Sequence, residues 1–99
     1  MNIVEKHTDK IKSLCEKYRV SKLYVFGSVL GSHFTKDSDI DFLVMFDNVG
    51  LQEYADNYFD LKFSLQDLFN RKVDLIEEKA IKNPFFKRSV DNSKRLIYG

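Results

Sequence analysis

Ile3, Val4, His7, Ile11, Leu14, Cys15 and Tyr18 recur at spacings of three and four, with lysines and glutamates between them. That period predicts an amphipathic helix over residues 2–18, with one face turned to a sheet. Leu23-Tyr24-Val25-Phe26 is apolar at every position and stops at Gly27-Ser28, which reads as a strand buried on both faces. A second strand runs from Asp39 to Phe46 and ends in the polar turn Asp47-Asn48-Val49-Gly50. Leu51, Tyr54, Ala55, Tyr58, Leu61, Leu65, Leu68 and Phe69 mark a longer helix, and Lys72 to Glu77 a third strand. Pro84 permits a short helix to begin near Phe85, and Arg95 to Tyr98 reads as a last short strand. Helices and strands in this order predict an α/β (α+β) architecture, a small mixed sheet of about four strands covered by helices. With no repeat and no Gly/Pro-rich linker, residues 1–99 are expected to form a single domain.

Side chains two apart on a strand share a face, so Asp39 and Asp41 point the same way, roughly 6.5–7 Å apart along the strand. In the second strand Ile40, Phe42, Val44 and Phe46 form the core stripe, while Asp39, Asp41, Leu43 and Met45 line the opposite face. In the third strand Val73 and Leu75 share one face, and Asp74 interrupts the other beside Ile76. Carboxylates held close repel unless a cation neutralises them or one is protonated, and a hard ion with oxygen ligands such as Mg²⁺ suits the set. Asp37-Ser38-Asp39-Ile40-Asp41 also looks like the start of a calcium loop, but Phe42 and Asn48 stand where that loop needs Gly and Glu. At the end of the first strand, Gly27 lets a backbone approach closely and Ser28 adds a hydroxyl, which together suit a phosphate.

Composition changes this picture in three ways. Sixteen Lys and Arg against fifteen Asp and Glu leave a net charge of +1, which excludes the large basic excess of a general nucleic-acid binder. The balance conceals an asymmetry: residues 37–61 carry seven acids and no Lys or Arg, whereas residues 79–99 carry six bases and one acid. A single cysteine, Cys15, precludes an internal disulfide, and neither a signal-like start nor a membrane-length apolar run is present. A cytoplasmic protein with no membrane partner is expected.

Ten residues separate Gly27-Ser28 from Asp39-Ile40-Asp41. With Val25-Phe26 ahead of the pair, Phe42-Leu43-Val44 behind the acids and Asp74 in Val73-Asp74-Leu75-Ile76, this pattern resembles the nucleotidyltransferase superfamily that includes DNA polymerase beta. Within it, the chain resembles the minimal nucleotidyltransferase (MNT) family. The resemblance implies that Gly27 and Ser28 hold the phosphates of a nucleotide and that Asp39 and Asp41 bind the metal. Asp74 would support metal binding or accept the proton of the attacking hydroxyl. It further implies an adenylyltransferase that uses ATP and Mg²⁺, with two ions expected, and releases pyrophosphate. The acceptor would be a tyrosine of a partner HEPN ribonuclease toxin, with this chain as antitoxin. Many members carry Arg directly after Gly-Ser and a Gly where this chain has Ser32; here Val29 follows the pair and Gly31 comes one position early. His33, Lys36, Lys87, Arg88, Lys94 and Arg95 are candidates for the missing cation. Two other readings remain open: a binding module that neutralises its partner by occlusion, through the acidic stretch or Tyr54, Phe59 and Phe63, and a transferase for a small molecule.

Overall fold

The computed structural model describes residues 3–31 and 34–99. The first helix is shorter than its periodicity predicts. Helix α1 spans Thr8–Lys17, and the turn before it, Glu5–His7, is the tighter 3-10 type. The His7 N–H donates to the Val4 carbonyl at 3.1 Å, and His7 leaves helical geometry at φ −117°. Val4, Ile11 and Cys15 are fully buried, so the apolar period reports burial correctly across a local change of helix type. Arg19, at φ +63°, reverses the chain into strand β1, Val20–Phe26. This strand starts three residues before the apolar run, because a bulge at Ser21 lets Val20 pair with Phe46 and Lys22 with Met45.

The remaining elements are strand β2 (Ile40–Phe46), helix α2 (Leu51–Phe69), strand β3 (Val73–Glu77), helix α3 (Pro84–Ser93) and strand β4 (Arg95–Tyr98). Asn70 takes the left-handed conformation at φ +52° and closes α2, a role short polar side chains fill at little cost. The strand order is β3-β2-β1-β4; β1 pairs antiparallel with β2 and with β4, whereas β2 and β3 run parallel. A parallel neighbour requires a crossover, which α2 supplies, and the sheet is therefore mixed. The four-strand α+β sheet matches the fold class read from the sequence, and β4 is its edge strand beside β1.

Helices cover both faces. One face presents Leu23, Val25, Ile40, Phe42, Val44, Val73 and Leu75 to α1 and α2, where Ile11, Cys15, Leu61, Leu65 and Phe69 complete the main core. Phe46, assigned to that stripe by alternation, is only half-buried at the strand end. The other face is roofed over part of its area, and Leu43 lies on it, opposite the main core, as alternation places it. Leu43 is fully buried in a second cluster with Phe26 and Val90 of α3, and Tyr24, Ile76 and Ile81 pack around it. Residues 79–99 read as basic, yet α3 turns Val90 onto this face and sets Phe86 edge-on to Phe26, roofing it, while Phe85 stays exposed.

The start of α3 is held by Asn83, whose side-chain oxygen accepts the Phe85 and Phe86 N–H groups at 2.9 and 3.2 Å, with Pro84 in the first turn. Asn83→Ala is expected to cost about 1 kcal/mol. The effect should appear as a lower urea midpoint with an unchanged slope, since the unfolded surface is the same.

Candidate active site

The second face of the sheet carries a row of three register partners at the mouth of the small cluster. Phe26, the last residue of β1, pairs with Asp41 of β2, and Asp41 pairs with Asp74 of β3. Adjacent strands lie only about 4.8 Å apart, so this register sets two carboxylates side by side. Gly27 follows at φ +80°, a conformation that L side chains rarely adopt. A Cβ at Gly27 would lie 2.3 Å from Oδ2 of Asp41, so the carboxylate occupies the space that the missing side chain leaves. A 3-10 turn, Gly27–Leu30, carries the chain away, with Gly27 and Ser28 exposed and the Gly31 N–H donating to the Ser28 carbonyl at 3.0 Å. Ser28 Oγ lies 3.4 Å from the carbonyl oxygen of Asp39, to which it donates. The five residues singled out in the sequence thus cluster where β1 ends and β2 and β3 begin.

Asp41 is the electrostatic centre of the cluster. Burial, then the charge of Asp74, a hydrogen bond shared with Asp74 and the charge of Asp39 push its carboxyl up to about 6. Sharing that hydrogen bond requires a proton on the pair, so without a cation the protein holds one carboxyl neutral at a pH where carboxylates normally ionise. Asp39 stands just before β2 rather than within it, and its Oδ2 faces Lys72 Nζ at 3.8 Å. Among the described residues, no three acidic, histidine or cysteine side chains already surround one point. The donor set nonetheless suits a hard divalent cation: every side chain offers oxygen, and the Asp41–Asp74 pair is the kind of repulsive neighbour that such an ion relieves. The Asp39–Lys72 contact is exposed on both sides, and an ion pair of that kind is readily exchanged for another partner.

Two neighbouring residues were not legible as parts of the site. Arg71 donates through Nη1 to the carbonyls of Thr35 and Ser38, both at 3.0 Å, and its guanidinium lies 4.6 Å from the centre of the Phe34 ring. With the Thr35–Ser38 hydrogen bonds, this braces the segment that delivers Asp39. Lys72 follows it, and its carbonyl accepts the Ile40 N–H at 3.2 Å, tying the start of β2 to the start of β3. A helix-to-strand turn gives no periodicity signal, so neither residue stood out. Val29, where many MNT members have Arg, is buried in the main core. Of the candidate cations, His33 lies outside the described residues, as does Ser32. Lys87 pairs with Glu78 and Asp91, and Lys94 with Asp91 and the Tyr24 ring. Lys36, Arg88 and Arg95 are exposed.

Known proteins share the family and the fold of this chain. The family model described as polymerase beta, nucleotidyltransferase matches residues 9–99. The chain belongs to the polymerase beta nucleotidyltransferase family. A Methanocaldococcus jannaschii relative named "Putative protein adenylyltransferase" is 41% identical over 97 residues, covering 98% of this chain and 91% of its own. The protein adenylyltransferase MntA of Thermococcus cleftensis is 31% identical over 72 residues, 73% of this chain and 70% of that protein. Two solved structures share the fold. A chain in a toxin-antitoxin complex with AMP-PNP superposes with a TM-score of 0.71 at 21% identity, covering 93% of this chain and 73% of that one. A chain in the complex of a tri-AMPylated Shewanella oneidensis HEPN toxin with MNT antitoxin gives 0.62 at 19% identity, covering 98% and 73%. This nucleotidyltransferase therefore carries its acidic row on the fold its family uses. No helix among the described residues is long and apolar enough to cross a membrane.

Two outcomes follow from the geometry. The folded-state pKa of Asp41 lies above its unfolded value of 3.8, so the native state binds the extra proton. Stability without metal is therefore full below about pH 4 and falls as pH rises through 6. Water screens much of this at a half-buried group, leaving on the order of 1 kcal/mol. Urea titrations at pH 4 and pH 7.5 should show the loss in the wild type, and Asp41→Asn should remove it. Gly27→Ala should displace the Asp41 carboxylate and lower the melting temperature, at a cost on the order of 1–2 kcal/mol for the left-handed backbone alone; an unshifted melting curve would contradict the close approach.

Proposed function

We propose that this nucleotidyltransferase moves AMP from ATP to a tyrosine hydroxyl of a HEPN-family partner protein and so acts as that partner's antitoxin. The observation that carries the proposal is the row Asp41–Asp74 set against the bare backbone of Gly27. A fold gains nothing from two carboxylates in register on one face, whereas transfer at phosphorus needs charge gathered beside a backbone that can approach a phosphate. The relatives named protein adenylyltransferase support AMP as the transferred group, and the AMP-PNP and tri-AMPylated HEPN complexes on the same fold support ATP and the partner class.

In this reading Asp39, Asp41 and Asp74 hold Mg²⁺, with two ions accommodated by three carboxylates. When bound, the metal would neutralise the triphosphate and favour the ionised form of an attacking hydroxyl. The exposed turn at Gly27 and Ser28 offers backbone N–H groups and one hydroxyl to the phosphates. Asp74 orients the acceptor and takes its proton. The acceptor oxygen bonds to the α-phosphorus, the bond from that phosphorus to the bridging oxygen breaks, and pyrophosphate departs with the electron pair. The small sheet offers no second wall for a protein acceptor, so the partner itself completes the cleft. The protein acts in the cytoplasm, where ATP and Mg²⁺ are available, and residues 1–99 act as one domain.

The test uses ATP labelled at the α-phosphate, Mg²⁺ and the cognate HEPN-family protein. Wild type should label a tyrosine of the partner, and EDTA should abolish transfer. Asp39→Asn/Asp41→Asn should lower the rate by on the order of a hundredfold or more, the scale of several kcal/mol of lost charge stabilisation. Equal labelling by the variant would remove the acids from the mechanism. Tight partner binding without any label would leave an antidote that works by occlusion.

A further inference from the structure

The solvent face of α2 is unlike the rest of the surface. Asp56, Phe59, Asp60, Phe63 and Asp67 all lie exposed on it, at the helical spacings that make one stripe. Phe59 and Phe63 are 52% and 54% exposed, and their rings stack at 6.4 Å with planes 28° apart. Stacking two large rings in water, away from both cores, leaves apolar area that a partner would bury. Among the described residues, none of Asp56, Asp60 and Asp67 joins an ion pair.

The stripe borders an apolar groove of about 470 Å³ between α2 and the edge strand β3, lined by Tyr54, Tyr58, Phe59, Leu75 and Ile76 among others, with Glu77 at its rim. Phe59 packs edge-on against Tyr58 at 5.1 Å, and the Tyr58 hydroxyl donates to the carbonyl of Leu75, next in sequence to Asp74. Stripe and groove are thus continuous, and burial, then the charge of nearby Asp74, pushes the pKa of the Tyr58 hydroxyl up.

We propose that this stripe and groove dock a basic amphipathic helix of the acceptor protein, setting its acceptor hydroxyl toward Asp74. The inference rests on the adenylyltransferase reading for the role of that helix, but not for the surface itself. The choice of occupant follows from charge and shape. Residues 37–70 contain eight acids and a single base, Lys62, so the stacked rings stand in a predominantly acidic surround that complements Lys and Arg flanking an apolar seam. From Asp56 to Asp67 the stripe is about 16 Å long, three helical turns, the length over which anchors at i, i+3 or i+4 and i+7 engage. A second copy of this chain fits less well. Its own apolar and basic helix, α3, has Lys87 committed to Glu78 and Asp91, and joining α3 of one copy to α2 of the next is a head-to-tail contact that propagates unless it closes.

The test titrates ¹⁵N-labelled protein with a 20-residue Lys/Leu amphipathic helical peptide and, separately, with its Glu/Leu counterpart. Amide shifts from the basic peptide should concentrate on residues 54–67 and 75–80, and its affinity should fall as salt rises. Phe59→Ala/Phe63→Ala and Asp60→Lys/Asp67→Lys should each weaken it at least about tenfold, the scale of lost hot spots, while AMP-PNP binding stays as in the wild type. Shifts confined to other faces, equal binding of the acidic peptide, or unchanged binding by both variants would overturn the proposal. So would wild-type self-association abolished by the same substitutions, which would assign the stripe to a second copy. Unchanged labelling of the HEPN-family protein by Phe59→Ala/Phe63→Ala would overturn it as well. A wild type that labels nothing yet binds the basic peptide on the stripe would sink the adenylyltransferase reading and keep the docking surface.

Discussion

Everything at the candidate site depends on the parallel register of β2 and β3. Had β3 slipped by one residue, Asp74 would enter the main core, an unpaired carboxylate among Ile40, Phe42 and Leu65. The observed register places Val73 and Leu75 in that core and leaves Asp74 no position except beside Asp41. The hydrophobic pattern thus enforces a like-charge contact that local electrostatics opposes. The folded state absorbs the repulsion by keeping a proton on Asp41 at a pH where most carboxylates have lost theirs. In the proposed reading a cation would take the place of that proton, at a site whose carboxylates the register has already set side by side.

The same constraint explains how the sheet is built. A parallel pair needs a long crossover, and the crossover chosen here, α2, has nineteen residues. One side of it supplies Leu61, Leu65 and Phe69 to the main core; the other remains in water with Phe59 and Phe63. The element required to bring Asp74 to Asp41 therefore also presents an exposed aromatic surface of its own. On the opposite face, α3 covers Leu43 and Phe26 and stops short of the carboxylates. The acidic row lies at the boundary between a roofed and an open part of the sheet, buried enough to shift a pKa and open enough to receive a phosphate.

Legibility in the sequence divided along physical lines. Elements with a strong period or clear punctuation were read closely: α2 begins at Leu51 and ends at Phe69, α3 begins at Pro84, and β4 spans Arg95 to Tyr98, as the pattern indicated. The three acids and the Gly-Ser pair came from strand alternation and spacing, and the structure brings them together. What escaped were features determined by partners distant in the chain. Lys22 joins β1 only because β2 offers Met45 to pair with, and Leu43 is buried only because α3 folds back over it. Arg71 and Lys72 sit in a turn where no period operates; their importance arises from carbonyls and a carboxylate more than thirty residues earlier.

Val29 shows where a family pattern and a local structure part. The residue after Gly-Ser is turned into the core here, so its identity answers to packing rather than to a phosphate. Charge that an arginine at that position would bring must then come from elsewhere, and the cation that the structure sets beside the acids is Lys72, facing Asp39. In the proposed reading a metal on Asp39 would compete with Lys72 for the same carboxylate. A Lys72 ammonium displaced from Asp39 in that way would keep its charge near the acids, on a flexible four-carbon stem.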